Sequence, residues 1–131
     1  LLLKTMSVEE IFKLAKNGNR TKVDLTVKDI LGKGIGLMPP GATAANFGKL
    51  ASKKKTDLAQ SLVGMVAETM GMVACLAAQK TGEKKIVFVG RVGTNKLIQK
   101  YLQQVCNLFK LSSVFPNHAE YATALGAAML G

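Results

Sequence analysis

A long apolar segment in the middle of the chain limits the possible folds more than any other feature. Its pattern predicts a helix from about Leu58 to Lys80, capped by Asp57, in which the tetrapeptide GMVA at positions 64–67 recurs at 71–74. Seven residues make about two helical turns, so both copies face the same side. Because two interior glycines cost roughly 1 kcal/mol each against alanine, we expect something to pack against this face. Its small-residue stripe consists of Gly64, Ala67, Gly71, Ala74 and Ala78.

The same segment raises the question of a membrane span, because it holds about 22 mostly apolar residues between lysine clusters. Glu68 lies near its middle, and a charge at the centre of a bilayer costs about 2.5–3.5 kcal/mol on insertion scales. A buried helix of a soluble protein accounts for the pattern equally well. We therefore predict a core helix and no membrane contact.

Helical and extended patterns alternate along the chain, which is typical of an α/β layer fold with a mostly parallel sheet. The first helix follows a capping box at Ser7 and Glu10. The other predicted elements are a strand over 23–27, a glycine-rich loop over 32–41, a helical turn within 42–50, the long helix, a buried strand over 85–90, a helix over 95–109, a short strand over 113–115 and a helix over 121–130.

The charge of the chain favours anionic ligands over nucleic acid. Eighteen Lys and Arg oppose eight Asp and Glu, for a formal net charge of +10. Only Arg20 and Arg91 are arginines, and the seven aromatics are scattered singly, so neither base readout nor a stacking platform is indicated. The two cysteines indicate neither a disulfide scaffold nor a metal knuckle. We expect both to be reduced in a cytosolic protein.

The strongest local signal for a ligand is the turn from Gly90 to Thr94, between a predicted strand and a predicted helix. Ligands of open α/β sheets bind outside the carboxyl ends of strands. A glycine there allows close approach to the backbone, the next helix offers free amides, and Arg91 can stack on a base or pair with a phosphate. An ordinary tight turn with an exposed arginine explains the same residues.

No catalytic residue and no metal site can be assembled from the remaining chemistry-bearing residues. His118, beside Glu120, is most simply a hydrogen-bonded turn residue, and Glu68 a polar position on the long helix. Asp24 and Asp29 have a spacing too unspecific for a metal pair. The segment over 34–36 is most simply a flexible turn, and the two cysteines are most simply core residues.

Five collinear segments resemble the C-terminal half of type II pantothenate kinases. No single motif is decisive, but together they cover nearly the whole chain in order. They are DLTVKDI at 24–30, PPGATAANFG at 39–48, LAQSLVGMVAETMG at 58–71, IVFVGR at 86–91 and YATALGA at 121–127.

This resemblance implies a ribonuclease-H-like lobe of the actin-like ATPase fold, with a mixed sheet covered by helices. Residues 1–131 would be the C-terminal lobe of a two-lobed cytoplasmic kinase that phosphorylates pantothenate with ATP. The resemblance also implies that the phosphate-binding lobe, the Mg ligands and the catalytic residues lie upstream. It further implies a homodimer, in which Gly64, Ala67, Gly71 and Ala74 contact the second subunit.

On the adenosine side, Gly90, Arg91 and Val8 match positions that line the nucleotide in the family. Arg91 stands where many relatives have a small residue, so it could stack on adenine or turn to solvent. Val8 replaces a common aromatic and can still pack on the base. Two other interpretations remain open: a non-catalytic dimerisation module, and a kinase or ATPase of the same fold with another acceptor, such as an amino sugar.

Overall fold

A computed structural model describes residues 3 and 5–130 of the chain. The chain divides into two compact units, Leu1–Val66 and Ala67–Gly131. The first unit contains a small antiparallel sheet, and the second contains a parallel pair of strands.

The first unit opens with helix α1, Val8–Ala15. The predicted capping box is confirmed: the Glu10 amide donates to Ser7 Oγ at 3.2 Å, and the Ser7 amide donates to Glu10 Oε2 at 2.7 Å. These two bonds satisfy donors that a helix start otherwise leaves unpaired. The sequence signal was sufficient here because every partner lies within one turn.

The strand predicted over 23–27 is wrong for most of its length. Only β1, Leu25–Thr26, is extended, and helix α2, Val27–Leu31, follows at once. Thr26 begins this helix with a second capping box, because its hydroxyl accepts from the Asp29 amide and its own amide donates to the Asp29 carboxylate. The apolar alternation was therefore misleading, and the threonine three residues before an aspartate was the better signal.

The helical turn predicted within residues 42–50 is also wrong. Strand β2, Thr43–Ala45, pairs antiparallel with β1. The amides of Lys49 and Leu50 then both donate to the Val23 carbonyl, at 2.9 and 3.0 Å. Small residues that are compatible with a helix are drawn into a strand because a tertiary partner lies beside them. The loop predicted over 32–41 is confirmed, since none of these residues is helical and they contain only an isolated bridge between Ile35 and Met38.

The long helix α3 spans Lys55–Thr81 and confirms the central prediction. It begins before Asp57, so the aspartate lies in its first turn and does not cap it. Asp57 instead accepts from the Asn19 amide at 2.8 Å and from Ser52 Oγ at 2.6 Å.

By length and apolar composition, α3 is the one helix of the described residues that could cross a membrane. Of its most apolar window, 39% is buried inside the structure. Core helices pass the same test of length and composition, so the test alone is weak evidence for a span.

The second unit contains the parallel part of the fold. Strands β3, Lys85–Val87, and β4, Ser112–Val114, pair in parallel and are connected by helix α4, Lys96–Leu108. Helix α5, Ala122–Leu130, ends the unit. The prediction of helix, strand, helix, strand, helix for this half is confirmed.

A small apolar cluster packs against one face of this sheet. Its buried members are Cys75, Val105 and Cys106, with Ile86 and Phe88 packed against them from the strand. The prediction that the strand is buried on both faces is wrong, because Val87 and Val89 on the other face are 52% and 54% exposed. The chain is thus a mixed α/β structure with one long helix and two small sheets.

Candidate nucleotide site

The turn predicted to bind a ligand follows β3 after Phe88 and Val89, at the carboxyl end of the parallel pair. The Phe88 amide donates to the Val114 carbonyl at 2.9 Å, which extends the pairing one residue past the strand. The Gly90 amide then donates to the Ala119 carbonyl at 2.8 Å. These bonds fix the backbone where the strand ends and the turn begins.

Gly90 has a φ of +94°, a backbone conformation that costs a side chain roughly 1–2 kcal/mol. A Cβ built on Gly90 would meet nothing within 4 Å. The glycine is therefore required by the backbone, and the space above it is open. A planar ligand could approach this peptide closely, as the sequence pattern predicted.

Arg91 follows in a helical conformation and is exposed at the start of a short 3-10 turn, Val92–Thr94. Thr94 Oγ1 donates to the Arg91 carbonyl at 2.8 Å. The turn is thereby closed by its own side chain, while the Arg91 side chain lies on the outside of the unit.

Two of the backbone amides at the start of α4, which the sequence predicted to be free, already donate hydrogen bonds to a side chain. Asn95 caps the helix and accepts from the Leu97 amide at 2.9 Å and from the Ile98 amide at 3.4 Å. Gln99 Nε2 donates to the Gly93 carbonyl at 2.9 Å. A phosphate would have to displace the asparagine, so the turn suits a base or ribose better than a phosphate.

Val8, the other residue predicted to contact adenine, is the first residue of α1 in the first unit. It is 56% exposed. Its position at the surface leaves its aliphatic side chain available to a ligand. Its predicted role stays a prediction, as do those of Gly90 and Arg91.

The small-residue stripe is covered by the chain itself at both glycines. A Cβ at Gly64 would lie 2.5 Å from Arg20 Cζ, and a Cβ at Gly71 would lie 3.1 Å from Val105 Cβ. Ala67 is fully buried. Ala74 is partly buried. The predicted contact of Gly64, Ala67, Gly71 and Ala74 with a second subunit stays a prediction.

The residue that covers Gly64 belongs to a buried polar network that the sequence analysis missed. Arg20 Nε donates to Asp24 Oδ2 at 2.7 Å, and the Arg20 amide donates to Gln60 Oε1 at 2.8 Å. Asp24 also accepts from Ser61 Oγ and, at 2.9 Å, from the Phe47 amide. A basic and an acidic residue four positions apart were a weak signal for this pair, since most such pairs lie at the surface.

The carboxylates of Asp24 and Asp29 have separate partners. Asp24 belongs to the buried network, whereas Asp29 pairs with Lys49 Nζ at 2.6 Å. Over residues 3 and 5–130, no group of three His, Cys, Asp or Glu side chains could hold a metal ion. His118 is exposed in a left-handed turn conformation with a φ of 58°.

The carboxyl end of a parallel pair, where this open glycine turn lies, is the place at which open α/β sheets bind ligands. Residues 1–130 match the model of the family called Fumble. The chain belongs to this family, and its resemblance to type II pantothenate kinases is confirmed.

Three curated relatives illustrate the similarity. The chain is 34% identical to a type II pantothenate kinase of Oceanobacillus iheyensis, over 97% of this chain and 50% of the relative. It is 31% identical to a pantothenate kinase of Schizosaccharomyces pombe, over 98% of this chain and 36% of the relative. It is also 31% identical to a 4'-phosphopantetheine phosphatase of Mus musculus, over 100% of this chain and 17% of the relative. The chain thus spans half or less of their length.

Proposed function

We propose that this chain is the C-terminal lobe of a kinase that phosphorylates pantothenate to 4'-phosphopantothenate with ATP, the first step of coenzyme A biosynthesis. The observation that carries the proposal is the match of the family model to residues 1–130. The mixed α/β fold with its parallel pair is compatible with a ribonuclease-H-like lobe of the actin-like ATPase fold. A cytoplasmic homodimer belongs to the same proposal.

In this proposal the chain supplies the adenosine side of the ATP site. Gly90 presents its peptide to the nucleotide, Arg91 lies beside it at the surface, and Val8 contributes apolar contact. The net charge of +10 attracts a polyanion such as ATP. The same proposal assigns metal binding, phosphate binding and catalysis to the part of the full-length protein outside this chain.

A nucleotide titration of the 131-residue chain tests the adenosine site. We expect NMR shifts of the amides of Gly90, Arg91 and Thr94, with no turnover of pantothenate by the chain alone. Gly90→Ala should remove the shifts, because alanine strains the turn. Gly126→Ala is the matched control, since a Cβ there also meets nothing within 4 Å. Unchanged amides at all three positions would remove the site.

A phosphorylation assay of the full-length protein tests the activity. We expect transfer from ATP to pantothenate and none to N-acetylglucosamine. Arg91→Gln, compared with the exposed Lys100→Gln, should raise KM for ATP and leave KM for pantothenate unchanged. Transfer to the amino sugar in preference to pantothenate would assign a different acceptor to the same fold.

A further inference from the structure

The two cysteines of the chain lie side by side in the second unit. Cys75 Sγ on α3 and Cys106 Sγ on α4 are 3.8 Å apart, and both residues are fully buried. Both are free thiols, and they stand 31 residues apart in the sequence. The proposed nucleotide site uses neither of them, so their contact has no part in that function.

The packing of α3 against α4 directs the two sulfurs towards each other. Residues four apart on a helix lie on the same face, so Cys75 lies one turn beyond Gly71 on α3. In the same way, Cys106 lies one turn beyond Leu102 on α4. The two helices approach closely at Gly71, because a Cβ there would lie 3.4 Å from Leu102 Cδ2. The contact between the thiols is the same helix–helix contact, one turn further along.

A disulfide between these sulfurs requires little movement. The bond is about 2.0 Å long, so the sulfurs would have to approach each other by about 1.8 Å in total. Apolar side chains surround them, since Val105 is buried with them and Ile86 packs against the cluster. A reagent must therefore enter a dry site, which favours a small neutral molecule over a bulky or charged one.

An apolar groove beside the cluster offers such a molecule a way in. It has a volume of about 440 Å³. Phe88 both lines this groove and packs against the thiol cluster, so a molecule in the groove is one side chain away from the sulfurs. The complete lining consists of Thr69, Met70, Val73, Ala74, Ala77 and Phe88.

We infer that Cys75 and Cys106 form an oxidation site that takes a small hydroperoxide and closes to a disulfide between α3 and α4. With hydrogen peroxide, one sulfur first attacks a peroxide oxygen. An S–O bond forms, the O–O bond breaks, and the proton of the thiol leaves with the hydroxide as water. The second sulfur then attacks the sulfenic sulfur. An S–S bond forms, the S–O bond breaks, and a second water leaves with the second thiol proton, so the two electrons lost by the thiols reduce the peroxide.

The partner thiol limits how far the oxidation proceeds. An isolated sulfenic acid is oxidised further to a sulfinic acid, which thiol reductants do not restore. Here a second thiol lies in contact and captures the sulfenic acid as a reversible disulfide. Burial raises the pKa of Cys106 to about 12, so the first step is slow, as for other buried thiols. The pair therefore protects the core of the second unit against an irreversible polar lesion.

Peptide mapping of the full-length protein after treatment with hydrogen peroxide tests the inference. We expect one linked pair of peptides, joining Cys75 to Cys106 and lighter by two hydrogen atoms than the separate peptides. Dithiothreitol should restore both thiols. Linkage of either cysteine to a different thiol, or treated protein in which the two remain unlinked, would overturn the inference.

Two matched variants test the role of the partner thiol. Cys75→Ser and Cys106→Ser each keep the size of the side chain and leave a single thiol in the cluster. Under the same treatment that thiol should accumulate sulfinic acid that dithiothreitol does not reverse, whereas the parent should be restored. Equal amounts of sulfinic acid in the parent and the variants would contradict capture by the partner.

The restriction to a small oxidant is tested with glutathione disulfide, which is bulky and charged. It should link the two cysteines much more slowly than peroxide and form no adduct with either. An adduct, or linkage at an equal rate, would contradict the restriction.

Entry from the groove is tested with Phe88→Leu, which opens the side of the cluster next to the groove and should speed linkage by peroxide. Phe115→Leu is the matched control, because Phe115 stacks on Phe88 at 5.5 Å between ring centroids but does not line the groove. Equal rates in the two variants would contradict this route.

Discussion

The glycines in the two copies of the GMVA repeat in α3 are contacted by different kinds of side chain, one charged and the other apolar. At Gly64 the helix is met by the guanidinium of Arg20, and at Gly71 by the aliphatic side chains of Val105 and Leu102. The repeat predicts where a close approach occurs, because glycine at the same helical phase leaves the same gap. It does not predict whether a charged or an apolar group fills that gap.

The two units are likewise stabilised by different kinds of interaction. The first unit depends on a buried ion pair whose members are 10% and 1% exposed. The second depends on apolar contacts and two thiols. Burying an ion pair gains little in net stability, but losing one partner is costly. The first unit should therefore be the more sensitive to single polar substitutions.

The largest expected effect comes from Asp24→Ala. The substitution leaves the Arg20 charge buried without its carboxylate, and the Phe47 amide and the Ser61 hydroxyl without their acceptor. We expect the free energy of unfolding to fall by about 3–5 kcal/mol, measured by urea denaturation followed by circular dichroism. Lys49→Gln breaks the exposed pair with Asp29 and should have a much smaller effect. Equal losses in the two variants would contradict the importance of the buried network.

The second-largest effect is expected from alanine substitutions at Gly64 and Gly71, which should differ in their change of stability. A Cβ at Gly64 would collide with a guanidinium that Asp24 holds in place, so Gly64→Ala should destabilise the protein by about 1–3 kcal/mol. At Gly71 the nearest atoms lie 3.1–3.4 Å from the added Cβ. The gain in helix propensity of roughly 1 kcal/mol should offset that crowding.

Thermal unfolding of the two alanine variants measures this difference. A loss at Gly71 as large as that at Gly64 would show that the apolar contact is no more adaptable than the polar one. Both variants should keep the oligomeric state of the parent, because both contacts lie inside the chain.

The elements that the sequence predicted correctly are those with local causes. The capping box at Ser7, the long apolar helix and the asparagine-capped α4 all depend on residues within one or two turns. The failure at 42–50 depends on pairing with β1 about 20 residues away, which no local pattern encodes. The failure at 23–27 has a local cause, because the capping box of Thr26 and Asp29 starts a helix where a strand was predicted. For the candidate site, the turn at Gly90 was predicted because strand ends carry ligand sites. The sequence did not predict that the Asn95 side chain accepts hydrogen bonds from the first amides of α4.

Alkaline pH should weaken the second unit through the Cys106 thiol. Burial, together with the nearby Cys75 sulfur at 3.8 Å, raises the pKa of Cys106 from 9.0 to about 12. The unfolded chain loses this proton near pH 9, while the folded chain retains it. The free energy of unfolding should therefore decrease as the pH rises from about 9 towards 12.

The test compares the free energy of unfolding of the parent with that of Cys106→Ala over this pH range. The alanine variant should be less stable at pH 7, because it leaves a cavity, but its stability should decrease less steeply with pH. The difference in slope removes the contribution of titrating lysines, which both proteins share. Parallel slopes would mean that the thiol titrates alike in the folded and unfolded chains.

The smallest expected effect is a loss of stability of the first unit at acid pH. Hydrogen bonds from Ser52 and from the Asn19 amide lower the pKa of Asp57 below 3.8. The stability contributed by this carboxylate is thus complete above pH 3.8 and is lost as the pH falls through the lower folded-state value. Asp57→Asn should keep the shape of the side chain and flatten the dependence of stability on pH below about 4. An acid limb as steep in Asp57→Asn as in the parent would contradict a lowered pKa of this carboxylate in the folded chain.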